Sequence, residues 1–167
     1  MAPKIWETLP DDKRSFMAAA WAAAQASEKD TNVPTCITMA QAILESDWGS
    51  HHCGSGNNYF GIKADSRWSG PVVVLTTKEH SLLRGWYSVP QSFRAYPGMT
   101  ESFTDHGRFL LNNRRYRSLF SLRKDNYIGW ARGLQQAGYA TDPGYANSLI
   151  AIITKYELYY CNLAPGA

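Results

Sequence analysis

One acidic side chain stands where it can hold a proton for catalysis. The stretch AQAILESDWGS, residues 40–50, is typical of a helix end in which Glu45 directly follows apolar residues. A carboxylate there meets the negative end of the helix dipole, and its helical neighbours Gln41, Ala42 and Trp48 carry no positive charge. An apolar cleft wall would add a desolvation penalty for the charged form. Glycoside cleavage needs a protonated acid of this kind, because the leaving oxygen gains a proton as the bond breaks. The alternative interpretation is a solvated acid on the polar face of the helix.

The composition indicates a globular domain that handles sugars or peptides. The chain has 167 residues, of which 44% are apolar and 19% charged, enough for one domain with a real core. Ten Tyr and six Trp combine apolar faces with polar edges, which suits sugars, peptides and protein partners. A net charge of +3 falls short of the excess typical of nucleic-acid-binding proteins, so no nucleic acid is predicted as partner. No apolar run approaches roughly 18 residues, so no membrane span is predicted.

Neither a metal site nor an ordinary signal peptide is predicted. The three cysteines lack zinc-like spacing, and the adjacent residues of His51-His52-Cys53 are too close in sequence to converge on one ion. The alanine-rich segment 17–24 follows acidic residues and precedes no clean cleavage site, so it indicates a helix. If the protein acts in the periplasm or cell wall, we expect a dedicated secretion machine or cell lysis to deliver it.

The segments that must position Glu45 follow the order helices, small sheet, helices. A first helix is predicted over 12–30, and a second ends near Asp47 with Thr31 or Asn32 as its cap. Short β-branched or aromatic segments at 71–77, 85–90 and 92–96 predict a small antiparallel sheet. Helical patterns then return at 99–113, at 114–120, after a cap at Asp125, and after Asp142-Pro143. This order predicts an α+β domain, a mainly helical body with a β-lobe at about 59–96 that forms a cleft.

Four motifs in this order resemble the peptidoglycan-cleaving N-acetylglucosaminidases of glycoside hydrolase family 73. They are residues 40–50, GNNYFGIKA at 56–64, SFRAYPGMTESFTDH at 92–106 and GLQQAGYATDPGYANSLIAII at 133–153. Lytic transglycosylases and goose-type lysozymes share the ES-x-WG element but usually follow it with a GLMQ-like segment. The segment NNYFGIKA therefore favours the glucosaminidases over a muramidase or a lytic transglycosylase, which stay as alternatives.

The resemblance implies a lysozyme-like fold in one catalytic domain, 1–167, without a cofactor. The implied reaction is hydrolysis of the β-1,4 bond on the reducing side of N-acetylglucosamine in peptidoglycan, with Glu45 as general acid. Glu79 in LTTKEH matches a second acid of some members, and the alternative for it is a solvated charge at a hairpin end. Tyr139 in GYATDP matches a cleft-facing tyrosine that orients the acetamido group or the attacking water, and the alternative is a packing role.

The position of Glu79 decides the mechanism that the resemblance implies. As a base, Glu79 would lie about 6.5–9.5 Å from the Glu45 carboxyl in an inverting enzyme, and about 5–5.5 Å away in a retaining one. If Glu79 is remote, the substrate 2-acetamido group serves as internal nucleophile, assisted by Tyr139 or Asp105.

Several polar and aromatic residues of the loop and sheet are predicted to bind substrate. Aromatic faces stack on sugar rings, amides bond to hydroxyl groups, and an acid can anchor the cleft wall. The candidates are Asn57, Asn58, Tyr59, Phe60, Trp68, Tyr96 and Asp105. For the aromatic residues the alternative is packing in a small sheet, and for the asparagines it is a turn.

The predicted partners follow from the substrate. We expect a monomer that binds peptidoglycan glycan strands and no membrane. Arg114, Arg115, Arg117, Arg123 and Lys124 form a basic patch that is either a solvated face or a surface attracted to anionic wall polymers. A catalytically dead wall-binding module is disfavoured because Glu45 is present. The remaining roles are an antibacterial effector, which requires an immunity protein that occludes the cleft, and a phage endolysin.

Overall fold

The computed structural model describes residues 2–162, so Met1 and residues 163–167 of the predicted domain lie outside the described range. Eight regular elements are α1 Lys4–Glu7, α2 Asp11–Thr31, α3 Thr35–Ser46, β1 Val72–Ser81, β2 Gly85–Arg94, α4 Met99–Asn112, α5 Tyr127–Gln136 and α6 Tyr145–Lys155. Short 3₁₀ turns lie at Gly54–Gly56, Arg114–Ser121 and Leu158–Asn162. The prediction of an α+β domain with a helical body and a small antiparallel β-lobe is confirmed.

Helix α3 forms the centre of the helical body. Every residue from Thr35 to Ile43 is buried, because α2, α5, α6 and the C-terminal 3₁₀ turn all pack against this helix. Burial stops at Leu44 and Glu45, which are both exposed. The core therefore holds most of α3 rigidly and leaves its last turn at the surface.

Helices α2 and α4 approach each other closely at a glycine. A Cβ added to Gly107 would lie 2.5 Å from Thr31 Oγ1 and 2.6 Å from Ser27 Oγ, so any larger residue would push the helices apart. The Ser27 hydroxyl donates to the Phe103 carbonyl oxygen over 3.0 Å, which joins the same two helices. This contact fixes α4, the element that carries one wall of the site.

Three predicted helix caps differ from the structure by one or two residues. Asn32 adopts a left-handed conformation with φ 63° and ends α2, so it does not begin α3. The cap of α5 is Asn126, whose side chain accepts from the Gly129 amide, and not Asp125. Asp142 accepts from the Gly144 amide over 2.7 Å, in the turn before α6. At α5 the neighbouring Asn126 takes the capping role, whereas Pro34 and Gly144 stand at the cap positions of α3 and α6 and form no side-chain cap there.

The β-lobe is a single two-stranded hairpin with a ten-residue strand on each side. The predicted segments 85–90 and 92–96 are one strand, which continues through Pro90 opposite Thr76. Proline is tolerated there because both strands of a two-stranded ribbon are edge strands. One face of the hairpin is half-buried and the other is exposed, in strict alternation.

A short segment joins the hairpin to the helical body. The Arg94 amide donates to the Ile62 carbonyl over 3.0 Å, and the Ala64 amide donates to the Ser92 carbonyl over 2.9 Å. Lys63 forms an isolated antiparallel bridge with Phe93. Residues 62–64 therefore run along β2 and place their side chains at the junction of the two lobes.

Candidate active site

A cleft of about 410 Å³ separates the β-lobe junction from the helical body, with Glu45 in its lining. One group of lining residues precedes β1 and comprises Phe60, Gly61, Ile62, Lys63, Asp65 and Arg67. The other group belongs to the helical body and comprises Phe109, Asn113, Arg115, Tyr116, Tyr139 and Ala140. The cleft continues into a smaller cavity of about 190 Å³ that shares Arg67, Phe109 and Asn113 with it. The site is therefore an open groove, the form that suits a polymer.

The sequence after Glu45 holds the end of α3 in a fixed geometry. Asp47, Trp48 and Gly49 have φ values of 46°, 58° and 81°, which turn the chain sharply away from the helix. The Ser46 hydroxyl donates to the Ala42 carbonyl over 2.6 Å and accepts from the Gly49 amide over 2.8 Å. Glu45 thus projects from a rigid helix end, as the helix pattern predicted.

The Glu45 carboxyl has one hydrogen-bond donor among the described residues, the Tyr145 hydroxyl, at 3.1 Å from Oε1. Gln41 Nε2 donates in turn to the Tyr145 hydroxyl oxygen over 2.9 Å. Desolvation raises the pKa of Glu45, and the hydrogen bond from Tyr145 opposes that rise only in part. Water reaches the carboxyl from the cleft, but the surrounding protein removes part of its solvation, which makes the charged form less favourable than in bulk water. Sequence analysis missed Tyr145, because it lies 100 residues away and occurs in a motif noted only for Tyr139.

Tyr139 lines the cleft beside Glu45 and packs against other aromatic rings. Its ring stacks on Tyr145 with centroids 5.5 Å apart and an interplanar angle of 21°, and it contacts Tyr116 at 6.2 Å. Burial, followed by the nearby Tyr145 and Glu45, raises the pKa of Tyr139 well above its usual value, so the phenol stays neutral. Tyr139 therefore lines the cleft and packs at once, and its role in orienting the acetamido group or the water stays a prediction.

Glu79 is not among the residues that line the cleft. It is half-buried near the distal end of β1, opposite Tyr87. It lies seven positions along the strand from Val72 at the base, which is roughly 23 Å at the usual rise of a β-strand. The described contacts of the hairpin with the body lie near its base, where a Cβ on Gly56 would meet Val73. Glu79 reaches Glu45 only if the hairpin bends over the cleft.

Asn57 and Asn58 brace the loop before the β-lobe and are not in the cleft lining. Asn58 is 1% exposed and donates to the Ile62 and Arg94 carbonyls, both over 2.9 Å. Its side-chain oxygen accepts from the Ile62 amide over 3.1 Å. Asn57 donates to the Tyr96 carbonyl over 3.1 Å. The predicted sugar contact of Asn58 is corrected to a structural role, because its polar atoms are already used.

Of the adjacent aromatic pair, Phe60 faces the cleft and Tyr59 packs into the body. Tyr59 contacts Phe16 and Phe103 with ring centroids about 6 Å away. Phe60 is buried and stacks on His106 with centroids 3.9 Å apart and an interplanar angle of 13°. His106 is fully buried, and desolvation lowers its pKa to about 3, so it is neutral. Phe60 therefore gives the cleft an apolar lining residue that is held in place by the buried, neutral His106.

Trp68, Tyr96 and Asp105 form a cluster around Arg94 that ties the β-lobe to α4. Arg94 Nη1 donates to Asp105 Oδ2 over 3.0 Å, and the Tyr96 hydroxyl donates to the same oxygen over 2.5 Å. The Arg94 guanidinium lies 4.8 Å from the Trp68 ring centroid. All three residues were predicted to bind substrate, which stays a prediction, and in the structure they form this brace. Only Asp105 reaches a groove surface, in the smaller cavity.

We predict that Tyr145→Phe raises the pKa of Glu45 further. The hydroxyl stabilises the ionised carboxylate by donating a hydrogen bond, and phenylalanine keeps the ring stack on Tyr139 while removing that donor. Carboxyl titration by carbon-13 NMR measures the shift directly. Tyr127→Phe, whose ring stacks on Tyr159, is the matched control and should leave the titration unchanged. An unchanged or lowered pKa of Glu45 in the Tyr145→Phe variant would contradict the geometry.

Comparison with known families identifies this chain. Residues 21–158 match the model of the glucosaminidase family, which is described as mannosyl-glycoprotein endo-beta-N-acetylglucosaminidase. The chain belongs to glycoside hydrolase family 73. The glucosaminidase domain therefore spans both lobes and the cleft, and the resemblance of the four sequence motifs is confirmed.

Two relatives and one solved structure show how much of the glucosaminidase domain is shared. The peptidoglycan hydrolase FlgJ of Escherichia coli O157:H7 is 36% identical over 156 residues, 90% of this chain and 49% of FlgJ. The exo-glucosaminidase LytG of Bacillus subtilis strain 168 is 36% identical over 154 residues, 89% of this chain and 53% of LytG. The chain thus spans about half the length of these curated relatives. The catalytic domain of the autolysin Auto from Listeria monocytogenes superposes with a TM-score of 0.80 and 31% identity, covering 92% of this chain and 89% of that one.

These comparisons confirm the lysozyme-like fold and place the glucosaminidase domain among glycoside hydrolases. Within residues 2–162, no helix combines the length and the apolar character that crossing a membrane requires.

Proposed function

We propose that the glucosaminidase domain hydrolyses peptidoglycan at the β-1,4 bond on the reducing side of N-acetylglucosamine. The observation that carries the proposal is Glu45, a carboxyl with a raised pKa on a rigid helix end in an open cleft. Its proton passes to the glycosidic oxygen as the bond to the leaving sugar breaks, and the resulting charge at the anomeric carbon is met by a nucleophile. The family and the names of FlgJ and LytG support peptidoglycan as the substrate.

The open groove favours cleavage within strands over removal of terminal sugars. The cleft continues into the adjoining cavity, so a glycan strand can extend beyond the sugars next to Glu45. A pocket closed at one end would admit only the end of a strand. The proposal of endo-cleavage therefore rests on the shape of the groove.

The proposed test is digestion of purified peptidoglycan, followed by borohydride reduction and mass spectrometry of the fragments. We expect reduced glucosamine ends on fragments of many lengths. Reduced muramic acid ends would identify a muramidase, and 1,6-anhydro ends a lytic transglycosylase. Release of single sugars alone would show exo-cleavage and contradict the proposed endo action.

Glu79 is the proposed conditional base, and Tyr139 the proposed positioning residue. A two-stranded ribbon is only marginally stable by itself, so the distal half of this hairpin can bend toward a bound strand. In that bent state Glu79 activates the attacking water. In the open state the substrate acetamido group is the remaining nucleophile, and the Tyr139 ring beside Glu45 orients it.

For Glu79→Gln we predict a large but incomplete loss of turnover, about a hundredfold, because Glu45 still protonates the leaving oxygen while water loses its base. The loss is measured as turnover on purified peptidoglycan. The matched control is Glu7→Gln, an exposed carboxylate on α1, which should turn over normally. Unchanged turnover of Glu79→Gln would remove this residue from the mechanism and leave the acetamido route.

The proposed site of action is the bacterial cell wall or periplasm, with the domain working as a monomer. An antibacterial effector with this activity needs an immunity protein seated in the cleft over Glu45, whereas a phage endolysin needs none. A small leader-bearing reading frame beside the gene would support the effector, and a holin gene would support the endolysin. Inhibition of the purified domain by the product of such a frame tests the first role directly.

A further inference from the structure

Cationic side chains dominate the groove around Glu45. Lys63, Arg67 and Arg115 line the cleft, while Asp65 is the other acid in its lining. Because desolvation raises the pKa of Glu45, that acid contributes less negative charge than an ordinary carboxylate. The smaller cavity adds two arginines and one acid. Binding a neutral sugar polymer does not require these positive charges.

Three of the five groove cations already have carboxylate partners in the protein. The pairs are Arg67 with Asp65 at 2.7 Å, Arg94 with Asp105 at 3.0 Å and Arg108 with Asp30 at 2.8 Å. Within the described part of the chain, Lys63 and Arg115 have no carboxylate within salt-bridge distance. Both are exposed, so their charges face the solvent of the cleft.

The two unpaired cations project from opposite structural units. Lys63 belongs to the segment that runs along β2, and its backbone is held there by the bridge to Phe93. Arg115 belongs to the 3₁₀ turn after α4 and donates to the Gly138 carbonyl over 3.3 Å. Its guanidinium also lies 4.9 Å from the Tyr116 ring centroid. A strand lying over Glu45 and Tyr139 would thus pass between two uncompensated positive charges, one on a fixed backbone segment and one on a guanidinium held by Gly138 and Tyr116.

We propose that Lys63 and Arg115 bind the free carboxylates of the peptide stems that muramic acid carries, so that the domain selects peptide-bearing over denuded glycan. This inference rests on the proposed function and adds the substituent that the site recognises. In peptidoglycan every second sugar bears a peptide whose acidic groups are the main negative charges near the scissile bond. Charge-assisted hydrogen bonds from ammonium and guanidinium groups to such carboxylates are about twice as strong as neutral ones. Of the basic patch in the sequence, Arg115 alone lines the cleft.

The test compares one glycan preparation with its peptides present and after an amidase has removed them, both freed of phosphate-containing wall polymers. The double variant Lys63→Gln with Arg115→Gln should lose about tenfold in kcat/KM on peptide-bearing strands. On denuded strands it should change less than twofold. Arg115→Lys with Lys63 intact should keep most of the preference, because it keeps the charge.

The matched control is Arg114→Gln with Arg117→Gln, which removes two exposed positive charges of the same patch outside the cleft lining. An equal loss in this control would show general attraction to anionic polymer and overturn the inference. An equal loss of the cleft variant on both substrates, or no loss on either, would overturn it as well.

Measurements of binding affinity test this inference independently of the proposed function. The Glu45→Gln variant, titrated with peptide-bearing and denuded strand fragments, reports affinity without turnover. The inference is supported if peptide-bearing fragments bind more tightly than denuded ones and this difference disappears when Lys63 and Arg115 are also replaced. That support holds even if the product ends identify another cleavage. Equal affinity for both fragments overturns it, whereas failure of the wild type to cleave peptide-bearing strands contradicts the proposed function alone.

Discussion

Glu45→Gln should lower turnover on purified peptidoglycan by about a thousandfold while leaving the fold intact. The amide matches the carboxyl in size but has no proton to give to the leaving oxygen, and general acid catalysis contributes about 10²–10⁴ in rate. Wild-type activity should fall as the pH rises through the raised pKa of Glu45, because the acid then loses the proton that catalysis needs. The release of reducing ends over a pH series measures both effects.

Measuring the stability of Glu45→Gln shows whether its loss of turnover reflects lost catalysis or lost folding. The folded-state pKa of Glu45 is raised, so ionising this group costs stability at pH values above its unfolded pKa. A neutral Gln removes that cost, and the variant should be at least as stable as the wild type at pH 7. Glu101→Gln changes an exposed carboxylate on α4 and should retain full activity. Normal turnover of Glu45→Gln would end the proposed mechanism.

Asp105→Asn should destabilise the fold by about 3 kcal/mol, because it leaves the Arg94 guanidinium without its counter-charge at a mostly buried position. The side chains of Arg94 and Asp105 are 10% and 21% exposed, and the Tyr96 hydroxyl loses the same acceptor charge. For a domain of this size the midpoint of thermal unfolding should fall by about 6–12 °C. Calorimetry or circular dichroism measures the change.

The matched control for Asp105 is Asp30→Asn. Asp30 pairs with Arg108 at 2.8 Å, with side chains 44% and 57% exposed, and exposed pairs contribute less than about 1 kcal/mol. Below its unfolding temperature, Asp105→Asn should keep a near-normal KM for peptidoglycan. Unchanged stability together with a strongly raised KM would restore the direct role in substrate binding that the sequence suggested for Asp105.

Local patterns in the sequence were enough to predict the longer helices, the small sheet and the carboxyl at the end of α3. The helix end at Glu45 follows from the apolar run before it and from the turn residues after it, and these act within a few positions of each other. The same holds for the order of helices and sheet. The cap of α5 was misplaced by one residue because Asp125 and Asn126 have similar capping chemistry. Asn32 and Asp142 each lie two residues before the position that precedes α3 or α6, and those positions hold Pro34 and Gly144.

The β-lobe shows where local patterns stop being sufficient. Pro90 and Gly85 suggested breaks in the sheet, yet only Gly85, with φ 65°, lies at the turn. Proline interrupts a strand in the centre of a sheet, but this sheet has only two strands and therefore only edge strands. The residues near Pro90 do not indicate how many strands the sheet has. The register that puts Glu79 opposite Tyr87 likewise depends on both strands together.

The sequence by itself determined the family, the helical body with its small sheet, and the carboxyl at the end of α3. Only the tertiary structure decided which polar residues are available to a substrate. Asn58, Tyr96 and Asp105 have suitable side chains, but contacts with Arg94 and with backbone carbonyls use them, while Tyr145 reaches Glu45 from 100 residues away. The physical reason is that helix and turn preferences act over a few residues, whereas desolvation and hydrogen bonding depend on which distant segments pack together.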